Sequence, residues 1–169
     1  LFLAGGGKAG ERLYLAAAQA SALSMHPDIV WRILAGTSPD TDLVSRLRQL
    51  GAETLTVESN RADFRDLLSG CRLSVSQAGY NSVVDILSSG APALLVPFTG
   101  EGGETEQPAR AQHLLKIQRA QVLPEADLDG PALAAATDRL LAQPRASFTP
   151  VACNGAERSA KALNAYLSS

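Results

Sequence analysis

The sequence predicts an α/β fold: a doubly wound, Rossmann-like parallel sheet of six strands with helices on both faces. Short apolar runs alternate with segments of helical periodicity through six rounds, which is the pattern of a parallel sheet covered on both faces. The apolar runs are continuous, as strands buried on both faces require. Right-handed crossovers then favour the strand order 3-2-1-4-5-6.

The clearest unit of this pattern is residues 73–98, LSVSQAGYNSVVDILSSGAPALLVPF. An apolar run breaks at a turn over 76–79, and apolar residues at helical spacing follow over 81–89. Gly90 occupies the position of a left-handed C-cap, and Pro92 prevents the helix from continuing. The apolar run that follows completes a unit of strand, glycine turn, helix and strand.

The other elements extend the same alternation on both sides of this unit. Gly51 is placed to end one helix, and Pro108 lies in the first turn of another. Strands are predicted at residues 1–4, 29–35, 53–57, 73–75, 93–96 and 120–123. Helices are predicted at residues 11–23, 42–50, 63–68, 81–89, 108–117, 131–141 and 155–167.

Composition and charge exclude several classes of protein. The 169 residues are 46% hydrophobic, enough for one domain with a sizeable core. A net charge of −2 argues against nucleic acid or an anionic membrane surface as partner, and the apolar runs are too short to span a bilayer. Cys71 and Cys153 lack a CxxC pattern, so we expect free thiols and a cytoplasmic location. His26 and His113 stand alone, so no metal site is expected.

Two glycine turns, at residues 5–10 and 76–81, each lead from a predicted strand into a helix. The first N–H groups of a helix have no partner within it, and the helix dipole favours negative charge there. In the expected order the first and fourth strands are neighbours, so both turns face one crevice at the carboxyl ends of the strands. We therefore predict a phosphate-binding site in that crevice.

Gly5-x-Gly7-x-x-Gly10 also matches the dinucleotide-binding fingerprint. Such a site needs an acidic residue after the second strand for the ribose, or an arginine for a 2′-phosphate. The chain has Leu-Ala-Gly-Thr at positions 34–37, so an NAD(P)-binding oxidoreductase is the less favoured alternative. The absence of GxxxxGK[ST] excludes a P-loop.

Polar side chains near the crevice point to a sugar nucleotide. Asp85, on the first turns of the helix after the second glycine turn, can accept two hydrogen bonds from a ribose diol. Glu104, Glu106 and Gln107 cluster in the loop just before the helix that Pro108 helps start, and such groups bind hydroxyls in fixed geometry. Each has a plainer explanation, since acids favour helix N-termini and loops are often acidic.

The pattern SxAGxNSVxDILSSGxPALLVPF followed by ExEQPARAQHL resembles the donor-binding C-terminal domain of GT-B glycosyltransferases, above all the MurG branch. The resemblance covers nearly the whole chain and is densest over residues 74–123. It implies one half of a GT-B fold. It also implies an enzyme that moves a hexose or N-acetylhexosamine from a UDP- or dTDP-linked sugar to an acceptor.

The resemblance further implies roles for individual residues. Asp85 would bind the ribose, Glu106 and Gln107 the sugar hydroxyls, and the loop at Ser59 and Asn60 would face the base. No metal or other cofactor is implied. The residues implied to hold the diphosphate are Gly5, Gly6, Gly7, Lys8, Ser76, Gly79, Asn81 and Ser82.

Two positions depart from the family pattern. Asp85 stands where the family usually has Glu, and Glu106 where the MurG branch has Gln, which leaves the donor sugar open. In GT-B enzymes the acceptor site and the usual base belong to an N-terminal domain, so we predict no catalytic residue in this chain. Residues 1–169 are therefore expected to be a single nucleotide-sugar-binding domain lacking that partner, and Leu1 already lies inside an apolar run.

Three alternatives to a transferase remain at this point. Nucleotide-sugar hydrolases and nucleotide-sugar 2-epimerases use a related two-domain fold with a similar donor half. A domain that binds a nucleotide sugar without chemistry of its own, and acts only with a separate partner chain, would also carry these motifs.

Overall fold

The computed structural model describes residues 2–3, 8–100, 103–146 and 148–151. The strands in this part of the chain form one sheet in the order β3-β2-β1-β4-β5-β6, and every pairing is parallel. The α/β class and the parallel sheet are confirmed, and the strand order is the expected one. The strands are β1 Phe2–Leu3, β2 Trp31–Leu34, β3 Leu55–Glu58, β4 Ser74–Ser76, β5 Ala93–Leu95 and β6 Gln121–Val122.

Helices follow the strands as the sequence pattern indicates, with shifts at the ends. The first begins at Lys8, three residues before the predicted start, because Gly10 lies inside the helix and does not break it. The predicted helix at 155–167 falls outside the described residues. The helices are α1 Lys8–Leu23, α2 Thr41–Leu50, α3 Phe64–Gly70, α4 Tyr80–Ser89, α5 Glu106–Lys116 and α6 Gly130–Leu141, with a short 3-10 turn at Glu125–Asp127.

Two hydrophobic cores lie on opposite faces of the sheet. Along the segment that contains β5, Leu94 and Val96 pack into one core with α1, α2 and α6. Ala93 and Leu95 pack into the other core with α4 and α5. This alternation shows helices on both faces, and it explains why the run 93–96 contains no polar residue.

Gly90 ends α4 in the left-handed conformation, with φ +66°, as the sequence predicts. A Cβ at this position would also collide with the carbonyl oxygen of Phe148. The segment around Phe148 is docked there, since Val151 N–H donates to the Leu87 carbonyl at 2.8 Å and the Arg119 guanidinium lies 4.5 Å from the Phe148 ring centre. Glycine is thus required by both conformation and packing.

None of the described helices has the length and apolar character that crossing a membrane would need.

Candidate site at the carboxyl edge of the sheet

The predicted site residues follow β1, β3, β4 and β5, at the edge of the sheet where the parallel strands end. Leu3 pairs with Ser76, so β1 and β4 are adjacent and finish side by side. α1 begins at Lys8 and α4 at Tyr80, so two helices begin just beyond these adjacent strand ends. Residues 5–7 of the first glycine turn lie outside the described residues.

The turn between β4 and α4 is buried up to Ala78, and the next residue, Gly79, has free space around its Cα among the described residues. Gly79 has φ −60° and ψ 151°, a conformation that any residue adopts. A Cβ on Gly79 would have only the Ser82 hydroxyl, at 3.9 Å, within 4 Å among the described residues. Neither backbone strain nor packing among the described residues requires glycine here. Glycine is a favoured N-cap residue, and it also leaves room for a ligand to approach the backbone.

In the described structure no side chain caps the start of α4. Its first backbone N–H groups therefore receive no hydrogen bond from a capping side chain. Asn81 is exposed and Ser82 half-buried beside these N–H groups. Ser76 is buried, and its hydroxyl has no hydrogen-bond partner in the described ranges. These groups are the type of donors that an anion attracts.

Asp85 lies one turn further along α4, on the side that faces α3. Its side chain is 24% exposed, and its carboxylate is 3.9 Å from the guanidinium of Arg65, a side chain that is 88% exposed. An ion pair with so exposed a partner contributes little, so a diol could compete for this carboxylate. Asp85 therefore remains able to accept hydrogen bonds from a ligand.

The predicted base-facing loop follows β3, and Ser59 and Asn60 are both exposed. Asn60 N–H donates to the Gly36 carbonyl at 2.8 Å, which ties this loop to the one after β2. Arg61 pairs with Glu58 and Asp63, and its hydrogen bonds hold the pKa of the Asp63 carboxyl below the usual range. The loop is thus fixed on both sides while its tip stays exposed.

Glu106 and Gln107 lie in the first turn of α5, not in the loop before it. The Glu104 carboxylate accepts from the N–H groups of Glu106 at 2.7 Å and Gln107 at 3.3 Å, which starts the helix two residues before Pro108. The Gln107 side-chain oxygen accepts from Phe98 N–H at 3.2 Å. Since that oxygen is engaged, the Gln107 amide NH₂ is the group left to face a ligand.

Arg110, which the sequence reasoning missed, connects α5 to the β4–α4 turn. Its guanidinium donates to the Ala78 carbonyl at 2.7 Å and pairs with the Glu106 carboxylate one turn earlier on the helix. The Glu-Arg spacing of four residues is a helix-surface pair that the sequence could have revealed. The contact to Ala78 joins positions 32 residues apart, and nothing local predicts it.

A second missed residue, Glu125, fixes the start of the loop after β5. One carboxylate oxygen accepts from the Thr99 N–H and the Thr99 hydroxyl, each at 2.6 Å, and from Gly100 N–H at 3.4 Å. Burial acts to raise the pKa of Glu125, but these hydrogen bonds outweigh it and hold that pKa below the usual range.

Together these groups form a row along the carboxyl edge. The predicted base-facing loop follows β3, the starts of α1 and α4 follow β1 and β4, and the Glu106–Gln107 pair follows β5. Four strand spacings of about 4.8 Å separate β3 from β5, which gives a row of about 19 Å. An elongated ligand fits such a row better than a compact one.

A cavity at the opposite edge of the sheet is not this site. It encloses about 460 Å³ among residues near the amino ends of β2 and β4, including Trp31, Leu73 and Leu141. Cys71 also lines it, and burial raises the pKa of this thiol, which disfavours a reactive thiolate. In the described part of the chain, no group of three or more His, Cys, Asp or Glu is arranged to hold a metal ion.

Sequence comparison gives one family that spans the chain. A sequence profile described as the glycosyltransferase family 28 C-terminal domain matches residues 1–166. A UDP-N-acetylglucosamine–N-acetylmuramyl-(pentapeptide) pyrophosphoryl-undecaprenol N-acetylglucosamine transferase of Rhodospirillum centenum is 32% identical over 110 residues, or 63% of this chain. The aligned part is only 28% of that protein, so the chain spans about a quarter of this relative.

Solved structures share the fold. CalG4, the calicheamicin glycosyltransferase, aligns over 99% of this chain and 43% of its own, with a TM-score of 0.69 and 20% identity. The glycosyltransferase VinC, solved in complex with DTDP, aligns over 85% of this chain and 33% of its own, with a TM-score of 0.60 and 19% identity. At these identities the likeness concerns the fold alone.

Proposed function

Because the chain belongs to the glycosyltransferase family 28 C-terminal domain family, we propose that it is the donor-binding domain of a longer glycosyltransferase. Residues 1–169 form its nucleotide-sugar-binding domain. The whole enzyme moves a hexose or N-acetylhexosamine from a UDP- or dTDP-linked donor to an acceptor held by an N-terminal domain or a partner chain.

The observation that carries this proposal is the start of α4. A helix without a side-chain cap begins there beside the adjacent ends of β1 and β4, behind a glycine whose Cβ position is open among the described residues. An anion bound at this point receives backbone N–H donors and the favourable end of the helix dipole. The diphosphate of the donor fits this chemistry.

We assign roles to the other groups according to their place along this edge. The diphosphate is surrounded by Ser76, Asn81, Ser82 and the first glycine turn with Lys8. Asp85 accepts from the ribose hydroxyls, and the exposed loop at 59–60 faces the base. Glu106 accepts from sugar hydroxyls, while the Gln107 amide NH₂ donates to them, because its oxygen is held by Phe98 N–H.

In the transfer step, the bond between the anomeric carbon and the diphosphate oxygen breaks, and its electron pair leaves with that oxygen. The acceptor oxygen forms the new bond, and its proton goes to a base outside this chain. The N–H groups at the start of α4 stabilise the charge that develops on the departing diphosphate. This chain thus supplies donor binding and leaving-group stabilisation.

An NAD(P) site is the weaker proposal for the same edge. β2 ends at Leu34, and the next residues are Ala35 and Gly36. No carboxylate therefore stands directly after this strand to bind a ribose. Hydrolase and 2-epimerase chemistry would use the same donor groups, and the product formed with the complete enzyme distinguishes them from transfer.

Isothermal titration tests the proposal. The 169-residue chain should release or absorb heat with UDP-N-acetylglucosamine, UDP or dTDP, and give none with NAD or NADP. Binding of NAD or NADP without binding of either nucleoside diphosphate would return the site to the dinucleotide class. With an acceptor and the N-terminal domain supplied, a glycosylated acceptor indicates transfer and free sugar indicates hydrolysis.

A further inference from the structure

Arg110 links two parts of the proposed donor site through a single guanidinium. One nitrogen donates to the Ala78 carbonyl at 2.7 Å, in the turn before α4. The other pairs with the Glu106 carboxylate at the start of α5. The Arg110 side chain is 26% exposed, whereas that of Glu106 is 77% exposed.

Stability does not account for this arrangement. A four-residue-spaced ion pair on a helix surface contributes little to stability, and here the acid is largely solvated. The pair therefore does little for the fold. Its position, between the phosphate turn and the sugar-contacting residues, suggests a different use.

A carboxylate in this position creates an electrostatic problem. Only the Arg110 guanidinium separates the Glu106 carboxylate from the turn that would hold a diphosphate. The negative charges of the carboxylate and the diphosphate would repel each other in a shared site. A neutral amide would avoid this repulsion, but the chain has an acid. The cation that contacts both the acid and the turn is Arg110.

We propose that Arg110 is a positioning residue of the donor site that neutralises Glu106, so that this carboxylate can contact the sugar beside the diphosphate. The inference rests on the proposed function and adds a residue to it. Glu106 and Arg110 then act as a unit.

Titration of UDP into four proteins tests this: the parent chain, Arg110→Ala, Glu106→Gln and the double variant. We expect Arg110→Ala to weaken UDP binding about tenfold, because it leaves an uncompensated carboxylate beside the diphosphate. Glu106→Gln should bind UDP more tightly than the parent. The double variant should recover to within about threefold of the parent, since no carboxylate remains to be neutralised.

Arg48→Ala is the matched control, because it removes one positive charge from an exposed position on α2 and should leave UDP binding unchanged. If Arg110 is only a structural tie, the double variant stays as weak as Arg110→Ala, and that result overturns the inference. The inference is also overturned if Arg110→Ala binds UDP as the parent does, or if Glu106→Gln binds UDP more weakly than the parent. A parent chain that binds no UDP overturns the proposed function itself, and this inference with it.

Discussion

The two edges of the sheet differ in the chemistry of the groups that they present. The amino edge holds a cavity of about 460 Å³, lined mainly by apolar side chains such as Trp31 and Leu73. The carboxyl edge collects helix starts, polar side chains and a glycine whose Cβ position is open among the described residues. Substrate chemistry needs placed donors and acceptors, so the polar edge is the better candidate site.

The comparison predicts that changes at the amino edge affect stability and leave binding intact. Leu73→Ala removes a buried side chain and should lower the free energy of unfolding by about 2–5 kcal/mol. Its Kd for UDP should stay within about twofold of the parent, a difference of less than 1 kcal/mol. Urea denaturation and titration measure the two quantities.

Leu23→Ala is the control, since Leu23 is 54% exposed and its loss should change stability by no more than about 0.5 kcal/mol. A large loss of UDP affinity in folded Leu73→Ala protein would move the binding site toward the amino edge.

The opposite pattern is expected for Asp85→Ala at the carboxyl edge. Charge-assisted hydrogen bonds to a ribose diol contribute roughly 1.5–3 kcal/mol each, so UDP binding should weaken about tenfold or more. Asp66→Ala removes an exposed acid on α3 that borders the amino-edge cavity, and it should not alter the Kd. Equal effects of the two variants in titration would remove the ribose role of Asp85.

Gly79→Ala tests whether the open turn is used by a ligand. A Cβ at Gly79 meets no clash among the described residues, so the only expected cost is that of alanine at a helix N-cap, about 1 kcal/mol or a few degrees in melting temperature. The added Cβ would project into the space proposed for the diphosphate, and UDP affinity should fall about tenfold. Gly70→Ala is a matched control, because a Cβ there also meets nothing within 4 Å, at the amino edge.

For Gly79→Ala, an unchanged Kd would show that the ligand does not approach this turn. A fall in melting temperature well beyond those few degrees would show that the glycine has a structural role instead.

The smallest expected effect is a pH dependence at Glu125. Its pKa is lowered in the folded state, so its contribution to stability is present above the ordinary value of 4.5 and is lost as the pH falls below it. Glu125→Gln should therefore be less stable than the parent above pH 4.5, by at most about 1 kcal/mol, and the gap should close in acid.

Asp127→Asn, an exposed acid in the same 3-10 turn, serves as the control for the loss of one negative charge. Urea denaturation measures the difference in free energy of unfolding between Glu125→Gln and the parent. If that difference stays constant down to pH 3, the hydrogen bonds of Glu125 with Thr99 are not its source.

The fold could be predicted from the sequence because its signals are local. The apolar run 93–96 and the glycine C-cap at Gly90 each follow from neighbouring residues, and both are present in the structure. The ends of the helices are predicted less exactly. The sequence places Gly10 in a turn, but it lies inside α1, because packing against α6 stabilises this helix.

The candidate site could be predicted only in part. Its strand ends and turns follow from topology, but the contacts of Arg110 with Ala78 and of Glu125 with Thr99 join positions 32 and 26 residues apart. Such contacts depend on the packing of α5 and the 3-10 turn against the loops, which no local pattern encodes. The side-chain oxygen of Gln107 likewise has its partner only once the chain is folded.

A crystal structure of the chain with UDP bound tests the central claim most directly. The diphosphate oxygens should lie within about 2.7–3.2 Å of the backbone N–H nitrogens at the start of α4, those of Asn81 and Ser82. The ribose hydroxyls should contact Asp85. UDP bound in the cavity beside Trp31 and Leu73, with the carboxyl edge empty, would contradict the account.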